Sequence, residues 1–410
     1  MPSSLIAWLD HSEAQRQRML QVIDGFREKG TLDELGLGTV RDALADRFFP
    51  GTSTIMTRAR YFLIVPWLFR ELEAKSTPAS RMPRRSRKME LNLIEAIRQS
   101  EDRKGNIGQR AGQNLKRLPS DVYWAGLGTW GIRSFQGSRR DYFDLADRRR
   151  VRTHQHAIRG EARDDEHDDR HSGPWHGGLP DAAPDFPSVC SLALRRVEAE
   201  YLRDRIITGR RTRASLLAEL TQRQRPHGDA PFVWFHPDFD NLPERHRIEL
   251  MHARCFSELM HGAALLYNVM LAERCGDAFS EYALDHRSQF QEWTESLAAD
   301  APALRAWDRL EFWNLIREMN PRVSPRTRDF CEQWILLALG ADAGRLADSR
   351  GARRLIETRE TQLKGALARL TNATARQRWN GASATAQLDF RWGITRTLLD
   401  DIAEGLKRKD

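Results

Sequence analysis

The sequence contains few cysteines, and none of them is placed for a zinc site or a disulfide framework. The 410 residues include four, all far apart along the chain: Cys190, Cys255, Cys275 and Cys331. Structural zinc sites and small disulfide-stabilised domains both use closely spaced cysteines, such as CxxC pairs. We therefore expect four buried thiols in a reducing cytoplasm.

Long apolar segments and a secretory leader are also lacking. The longest apolar run covers residues 61–69 and is interrupted by Pro66, whereas a membrane-spanning helix needs about 20 apolar residues. The N-terminal segment MPSSLIAWLDHSE has no basic region followed by an apolar one, so no signal peptide is predicted. These features predict a soluble, cytoplasmic protein without a membrane partner.

Complete catalytic and nucleotide-binding motifs are missing as well. Neither GxxxxGK[ST] nor GxSxG occurs, and the segments DELGLGT and AGLGTWG do not follow a strand in a βαβ unit. Nucleotide binding through such loops and acyl transfer are therefore unsupported. No catalytic residue is assigned from the sequence, and a non-enzymatic protein without a cofactor is the favoured interpretation.

Helical periodicity recurs along the chain, and no strand-like alternation of any length is found. Residues 39–49, for example, place Val40, Leu44 and Phe48 on one face, and residues 243–275 are predicted to form a long helix or a pair of helices. The sequence therefore predicts an all-α protein, built as a multi-helical bundle or array.

A change in composition marks the middle of the chain. Residues 139–187 are rich in charge, glycine and proline, which predicts a long, irregular and flexible insertion. This insertion would separate an N-terminal helical domain, residues 1–138, from a C-terminal helical domain, residues 188–410. Within the N-terminal domain, residues 107–118 and 119–133 are predicted to form two short helices in a helix-turn-helix-like unit.

The insertion also carries a histidine pair with metal-ligand spacing. His167 and His171 are four residues apart, as on a metal-binding helix face, and Asp165, Asp168 and Asp169 flank them. No third ligand at a fixed spacing accompanies the pair, and the surrounding composition offers no packed scaffold. We therefore predict that the protein has no metal site.

The stretch FFPGTSTIMTRARYFLIVPWLFR, residues 48–70, combines a turn, hydroxyl groups, a basic pair and the longest apolar run. A helix is predicted to begin near residue 53 or 54, where unpaired backbone N–H groups and the helix dipole favour an anion. Five residues of this stretch are candidate phosphate ligands: Thr52, Ser53, Thr54, Arg58 and Arg60. In the alternative interpretation the hydroxyls only cap the helix and the two arginines hold neighbouring helices together.

Other candidate contacts follow from an excess of arginine. Lys and Arg outnumber Asp and Glu by 65 to 57, and arginine binds phosphate in bidentate fashion and stacks on bases. The candidates outside the turn are Arg133, Arg391, Trp392 and Arg396, of which the last three form an Arg-aromatic-Arg cluster. Alternatively, Trp392 belongs to the core and its neighbouring arginines pair with Asp389 and Asp400.

A second basic segment, KSTPASRMPRRSRK, covers residues 75–88. Proline and the charge run predict a polar loop. It is interpreted either as a solvated connector or as an arm that contacts phosphate groups.

Several segments together resemble the signature blocks of a bacterial domain-of-unknown-function family of about this length. They are FFPGTSTIMTRARYFLIVPWLF, PSDVYWAGLGTWGIR, MHARCFSELMHGAALLYN, LKGALARL and LDFRWGITRTLLDDIAEGL. Members of that family are sometimes encoded near anti-phage and DNA-modification genes. The resemblance therefore implies a role in bacterial genome defence.

The sequence thus favours an accessory component of an anti-phage system that binds nucleic acid, DNA being the expected form, through arginine-rich surfaces. One alternative is a helical scaffold that docks a helicase, methylase or ATPase encoded at the same locus. A metal-dependent nuclease is the third interpretation, although no converging set of carboxylates and histidines can be assembled from spacing alone.

Overall fold

A computed structural model describes residues 33–159, 173–223, 227–276, 279–340 and 343–409. The pair of His167 and His171 lies outside these residues. No strand forms in the described ranges, in which an isolated bridge joins Arg133 and Trp175. The prediction of an all-α protein is confirmed.

The described residues form fourteen α-helices. In chain order these are α1 Gly38–Phe48, α2 Tyr61–Ala74, α3 Met82–Arg98, α4 Pro119–Thr129, α5 Arg139–Arg159, α6 Arg196–Thr208, α7 Leu216–Arg223, α8 Glu244–Cys275, α9 Ser280–Ala306, α10 Arg309–Met319, α11 Pro325–Ala338, α12 Arg350–Lys364, α13 Ala373–Arg376 and α14 Trp392–Lys407. None of these helices combines the length and the apolar character that crossing a bilayer requires.

The chain divides into two compact units that do not follow its linear order. The described residues between 33 and 41 and between 252 and 388 belong to the first unit, and those between 42 and 251 and between 389 and 409 belong to the second. The predicted boundaries near residues 138 and 187 both fall inside the second unit. The division into an N-terminal domain, an insertion and a C-terminal domain stays a prediction.

The second unit is built around α2, whose residues are buried over nearly the whole length of the helix. The helix packs on α3 and α4, while α14 packs on α6. Aromatic rings fill the contact with α4: Phe62 stacks on Trp130 with ring centroids 3.8 Å apart. The apolar run that the sequence displays is therefore core rather than surface.

One glycine allows α4 to approach the turn before α2. A Cβ atom on Gly126 would lie 2.4 Å from the carbonyl oxygen of Gly51, so a larger residue would push the helix away from the turn. Trp130 strengthens the same contact, because its Nε1 donates a hydrogen bond of 3.0 Å to the carbonyl of Pro50.

The first unit is organised around the C-terminal part of α8. Trp293 of α9 lies flat against this helix, and a Cβ on Gly262 would meet its ring at 2.2 Å. The indole nitrogens of Trp293 and Trp334 donate to the α8 carbonyls of Glu258 and Leu259, both at 2.8 Å. Buried tryptophans need such partners for their N–H groups.

Two predicted loops contain helices instead. Residues 139–159 form α5, which starts where Asp141 accepts a bond of 2.7 Å from the backbone N–H of Ser138 and which buries Tyr142 and Phe143. The predicted irregular insertion is therefore wrong for this segment. The basic segment 75–88 is likewise partly helical, because α3 begins at Met82.

The predicted helix-turn-helix-like unit does not form. Residues 107–118 contain a single 3₁₀ turn, Gly112–Asn114, and no α-helix. Gly105, Gly108 and Gly112 all have positive φ values there, a conformation that interrupts a helix. The second predicted helix does form, as α4 beginning at Pro119.

Candidate nucleic-acid interface

The turn before α2 differs from the expected phosphate cradle. The helix begins at Tyr61, not near residue 53 or 54, so the three hydroxyl residues are seven or more positions away from its first turn. Thr52 is buried, and its hydroxyl donates to the carbonyl of Phe49 at 2.7 Å. The hydroxyl of Ser53 is buried too, and Thr54 lies beside it in the same loop. The predicted helix start and the capping of α2 by these hydroxyls are therefore wrong, whereas phosphate binding by Thr52, Ser53 and Thr54 stays a prediction.

Arg58 is the most extensively bonded side chain of the turn. Its Nε donates to Asp401 Oδ1 at 2.8 Å, and its Nη1 and Nη2 atoms donate to the two carboxylate oxygens of Asp102 at 2.7 and 2.8 Å. Nη1 also reaches the carbonyl of Lys104 at 2.9 Å. The side chain is 12% exposed, so its donors face carboxylates and a carbonyl rather than solvent.

Burial and the opposite charges of the cluster change the pKa values of Asp401 and Arg58. Burial raises the pKa of Asp401 to about 6, although the positive charge of Arg58 and a hydrogen bond from the Ala59 N–H oppose the change. For Arg58 burial acts in the opposite direction, but the hydrogen bond and charge of Asp102 and the charge of Asp401 raise its pKa overall. The guanidinium group is therefore the fixed charge that keeps two carboxylates in place.

The same turn holds the loop that follows α3. Besides the bonds from Arg58, the hydroxyl of Tyr61 accepts a bond of 3.0 Å from the N–H of Ile107. The side chain of Asn106 donates to the carbonyl of Ile94 at 2.9 Å. Residues 99–118, which form no α-helix of their own, are thus positioned by α2, α3 and the turn.

Arg60 forms a buried ion pair. Its Nε and Nη2 atoms donate to Glu198 at 2.9 and 2.8 Å, and Nη1 donates to the carbonyl of Ser191. Glu198 is fully buried. Burial would raise the pKa of this glutamate, but the bonds and charge of Arg60 hold it below its usual value. The pair joins the start of α2 to the start of α6.

The cluster in α14 is built into the protein in a similar way. Trp392 is fully buried, and its indole N–H donates to the carbonyl of Ala230 at 2.9 Å. Arg391 bonds to Asp46 at 2.6 Å and to the carbonyl of Thr52. The interpretation of Trp392 as a core residue is confirmed, but Arg391 pairs with Asp46 rather than with the carboxylates expected from the sequence.

The two remaining candidates contact backbone carbonyls. Arg396 is half-buried, and its Nη1 lies 3.2 Å from the carbonyl of Ala230. Arg133 is buried; its Nη1 donates to the carbonyls of Phe135 and Gly137, and its guanidinium group lies over the ring of Trp124 at 4.9 Å. Burial and the nearby charge of Arg211 lower the pKa of Arg133. Neither side chain forms an ion pair within the described ranges.

A different region of the second unit carries the exposed positive charge. Residues 75–117 contain twelve Lys and Arg but four Asp and Glu, an excess of eight that equals the net charge of the whole chain. The rest of the chain therefore contains equal numbers of cationic and acidic residues. Eight exposed cationic side chains of this region define what we call the basic surface: Arg81, Arg84, Arg85, Lys88, Arg103, Lys104, Arg110 and Lys116.

Helix α3 and the loop after it bring these side chains together. Residues 81, 84, 85 and 88 have the spacing of one helix face, opposite the buried Met82, Ser86 and Leu93. The loop returns alongside the helix, because Arg98 donates to the carbonyl of Gln109 and Arg87 to that of Leu115, both at 3.0 Å. The cationic residues of the loop therefore extend the same surface.

Most acidic side chains of this region are engaged internally. Glu90 is fully buried and accepts bonds from the N–H and the hydroxyl of Ser120 at 2.8 and 2.9 Å. Asp102 is bound to Arg58, and Glu95 pairs with Arg98. In the described ranges, none of the eight cationic residues forms an ion pair. The basic surface thus keeps a field of one sign.

Counting Lys and Arg against Asp and Glu in successive windows of the sequence would have identified this region. The basic residues lie in two segments, 75–88 and 103–117, which residues 89–102 separate along the chain. The prediction of a loop at residues 75–88 therefore did not indicate that the two segments share one surface. Burial of Glu90 and the bond between Arg58 and Asp102 could not be read from the sequence.

The part of the chain that the structure describes has no group of three or more His, Cys, Asp or Glu side chains that could hold a metal ion.

No curated protein and no solved structure matches this chain. A family model does match, and it covers residues 3–405, nearly the whole length. The sequence resemblance to a domain-of-unknown-function family is confirmed to that extent. The chain belongs to a family of unknown function, DUF6361.

Proposed function

We propose that this protein binds nucleic acid through the basic surface of α3 and the following loop, as an accessory component of a bacterial genome-defence system. The observation that carries the binding proposal is the concentration of the chain's entire net charge in residues 75–117. The defence role rests on the family resemblance and the genes that accompany such families.

Physical chemistry favours a phosphate backbone as the ligand of this surface. Arg84 and Lys88 lie one turn apart on an exposed helix face, a spacing that suits a row of phosphate groups. Each cation that contacts a phosphate releases condensed counterions, so affinity should fall steeply as salt rises. No base-reading element is assigned, and the predicted binding is independent of sequence.

The proposal assigns a supporting role to the turn at residues 52–60. Arg58 keeps Asp102 and the carbonyl of Lys104 in place, so it fixes the loop that carries Arg103, Lys104 and Arg110. In this proposal the turn does not bind phosphate itself but holds the nearby loop in position.

The test is fluorescence anisotropy with a labelled DNA duplex, a single strand and an RNA at two salt concentrations. We expect the double substitution Arg84→Glu and Lys88→Glu to weaken binding at least about tenfold and to reduce the salt slope by about 2. The matched control is Arg317→Glu with Arg322→Glu, which makes the same change in net charge at exposed sites of the first unit.

Two results would contradict the proposal. One is the absence of binding to all three nucleic acids at low salt. The other is an equal loss of affinity in the two double variants, because net charge rather than the basic surface would then explain the interaction.

An interaction scaffold for a helicase, methylase or ATPase is the second candidate. Exposed apolar side chains favour it: Ile248 and Met251 lie one turn apart on α8 and are 44% and 40% exposed. Recovery of a stoichiometric protein partner from the native host, together with no intrinsic affinity for nucleic acid, would select this function over the first.

A further inference from the structure

A polar pocket of about 430 Å³ lies in the second unit, between α2, α5 and the loop of residues 173–181. Its size is within the range of small-molecule sites, roughly 300 to 1,000 Å³. The side chains that give it its charge are Arg70, Glu73, Arg149 and Asp181. None of these residues belongs to the basic surface.

The loop wall of the pocket is held by hydrogen bonds to the helical core. Trp67 Nε1 donates to the carbonyl of Pro180 at 2.7 Å, and the N–H of Ser134 donates to the carbonyl of Pro174 at 2.9 Å. The N–H of His176 donates to the carbonyl of Ile132 at 2.8 Å. The pocket is thus preformed, which lowers the entropic cost of binding a ligand.

Glu73, one of the two carboxylates that line the pocket, already has a partner. The hydroxyl of Tyr142, which is fully buried, donates to Glu73. Burial raises the pKa of Glu73, whereas the bond from Tyr142 and the charges of Arg149 and Arg70 oppose this rise. Both arginines line the same pocket as this carboxylate.

The second carboxylate, Asp181, is a weak partner of Arg70. Asp181 lies 3.5 Å from Arg70 Nη1, and its side chain is 98% exposed. Ion pairs this exposed contribute little because water screens them. An incoming anion can displace this contact and take up a place between the two guanidinium groups, where the geometry of arginine suits an oxyanion.

We propose that this pocket binds a small oxyanion, a phosphate or carboxylate group of a soluble compound, between Arg70 and Arg149. The proposal does not rest on nucleic-acid binding.

The test is isothermal titration calorimetry of the full chain with inorganic phosphate, adenosine monophosphate and malonate. These three compounds distinguish whether the pocket prefers a free phosphate, a nucleotide or a dicarboxylate. We expect saturable binding of at least one of them and a loss of at least about tenfold in affinity for Arg70→Met and for Arg149→Met. Arg148→Met is the matched control, because Arg148 is exposed on the same helix and lies outside the pocket lining.

Circular dichroism establishes that each variant is folded. Should Arg149→Met fail to fold, Arg149→Lys replaces it; this variant keeps the charge but not the two-pronged geometry, and it should still bind several-fold more weakly than the natural protein. Unchanged affinity in the folded Arg70 and Arg149 variants would overturn the proposal. So would the absence of saturable binding of all three compounds up to about 10 mM.

Discussion

Arginine serves two different purposes in the second unit, and burial distinguishes them. The side chains of Arg58, Arg60 and Arg391 are 12%, 9% and 13% exposed and are bonded to carboxylates. Arg84 and Lys88 are exposed and form no ion pair with any described residue. Removing one partner of a buried pair leaves an uncompensated charge, whereas removing an exposed cation has little effect on stability.

The buried pair of Arg60 and Glu198 gives the first prediction at this scale. We expect Arg60→Met to lower the free energy of unfolding by about 3 kcal/mol, because fully buried Glu198 loses its buried counter-charge and keeps only the pair with Arg195, whose side chain is 45% exposed. Urea denaturation measures this change. The control is Lys75→Met, which breaks the exposed pair with Glu71 and should cost less than about 0.5 kcal/mol. Similar effects in both variants would contradict the prediction.

Arg58 gives the second prediction. Arg58→Glu places a negative charge against Asp102 and Asp401, which bind the natural guanidinium at 2.7 and 2.8 Å. We therefore expect this variant to be strongly destabilised or unable to fold, while Arg58→Lys keeps the charge but loses the bidentate geometry and is less affected. Circular dichroism and urea denaturation provide the measurement. A folded Arg58→Glu protein of natural stability would show that the two aspartates do not depend on Arg58.

Among the elements, the loop of residues 99–118 shows how a segment without regular structure acquires a fixed position. Arg58, Tyr61 and Asn106 hold its first half. Arg87 and Arg98 of α3 hold its second half through backbone carbonyls. In Arg58→Lys we accordingly expect faster amide hydrogen exchange at residues 102–107 than in the natural protein, with α6 unchanged.

A further prediction at the scale of elements concerns the contact of α3 with α4. Burial raises the pKa of Glu90 to about 7, although the bonds from Ser120 at the start of α4 oppose this. The folded protein therefore retains a proton that the unfolded chain releases near pH 4.3, and stability falls as the pH rises from 5 to 8. Glu90→Gln removes this titration.

Denaturation of the natural protein and of Glu90→Gln at pH 5 and pH 8 provides the measurement. The stability of the natural protein relative to the variant should fall by about 2 to 3 kcal/mol over this interval. A constant difference between the natural protein and Glu90→Gln would indicate that Glu90 remains ionised throughout.

For the whole molecule, charge and thiols are distributed unevenly. The positive excess is confined to residues 75–117, while Cys190, Cys255 and Cys331 are buried and Cys275 is partly exposed. Burial raises the pKa of Cys190 to about 11 and that of Cys255 to about 12. Both solvent access and thiolate formation are thus restricted in the folded chain.

Thiol labelling tests this distribution. At neutral pH we expect a disulfide reagent to modify Cys275 first and the three buried thiols far more slowly, since thiolate and access are both required. All four should react rapidly in concentrated urea. Rapid reaction of Cys190 or Cys331 in the folded protein would contradict the packing described above.

Sequence patterns were sufficient for the local features of this protein. The helical period of residues 39–49 predicted α1 to within about one residue at each end, because apolar spacing depends on the chain alone. For residues 243–275 it predicted helix but left open one helix or a pair, and the structure has the single helix α8. Trp392 could be assigned to the core as one of two alternatives, but its partner carbonyl, that of Ala230, is 162 positions away. Pairings at such separations are not encoded in spacing.

The turn of residues 52–60 and the basic surface show which properties the sequence determines and which the tertiary structure determines. Sequence by itself determined the all-α class, the buried run of α2 and the positive excess, since these follow from composition and periodicity. The tertiary structure alone decided that Arg58 and Arg60 face Asp401 and Glu198 while Arg84 and Lys88 face solvent. The physical reason is that a cation's availability depends on which carboxylates folding brings within bonding distance, and Asp401 and Glu198 lie 343 and 138 positions away from Arg58 and Arg60.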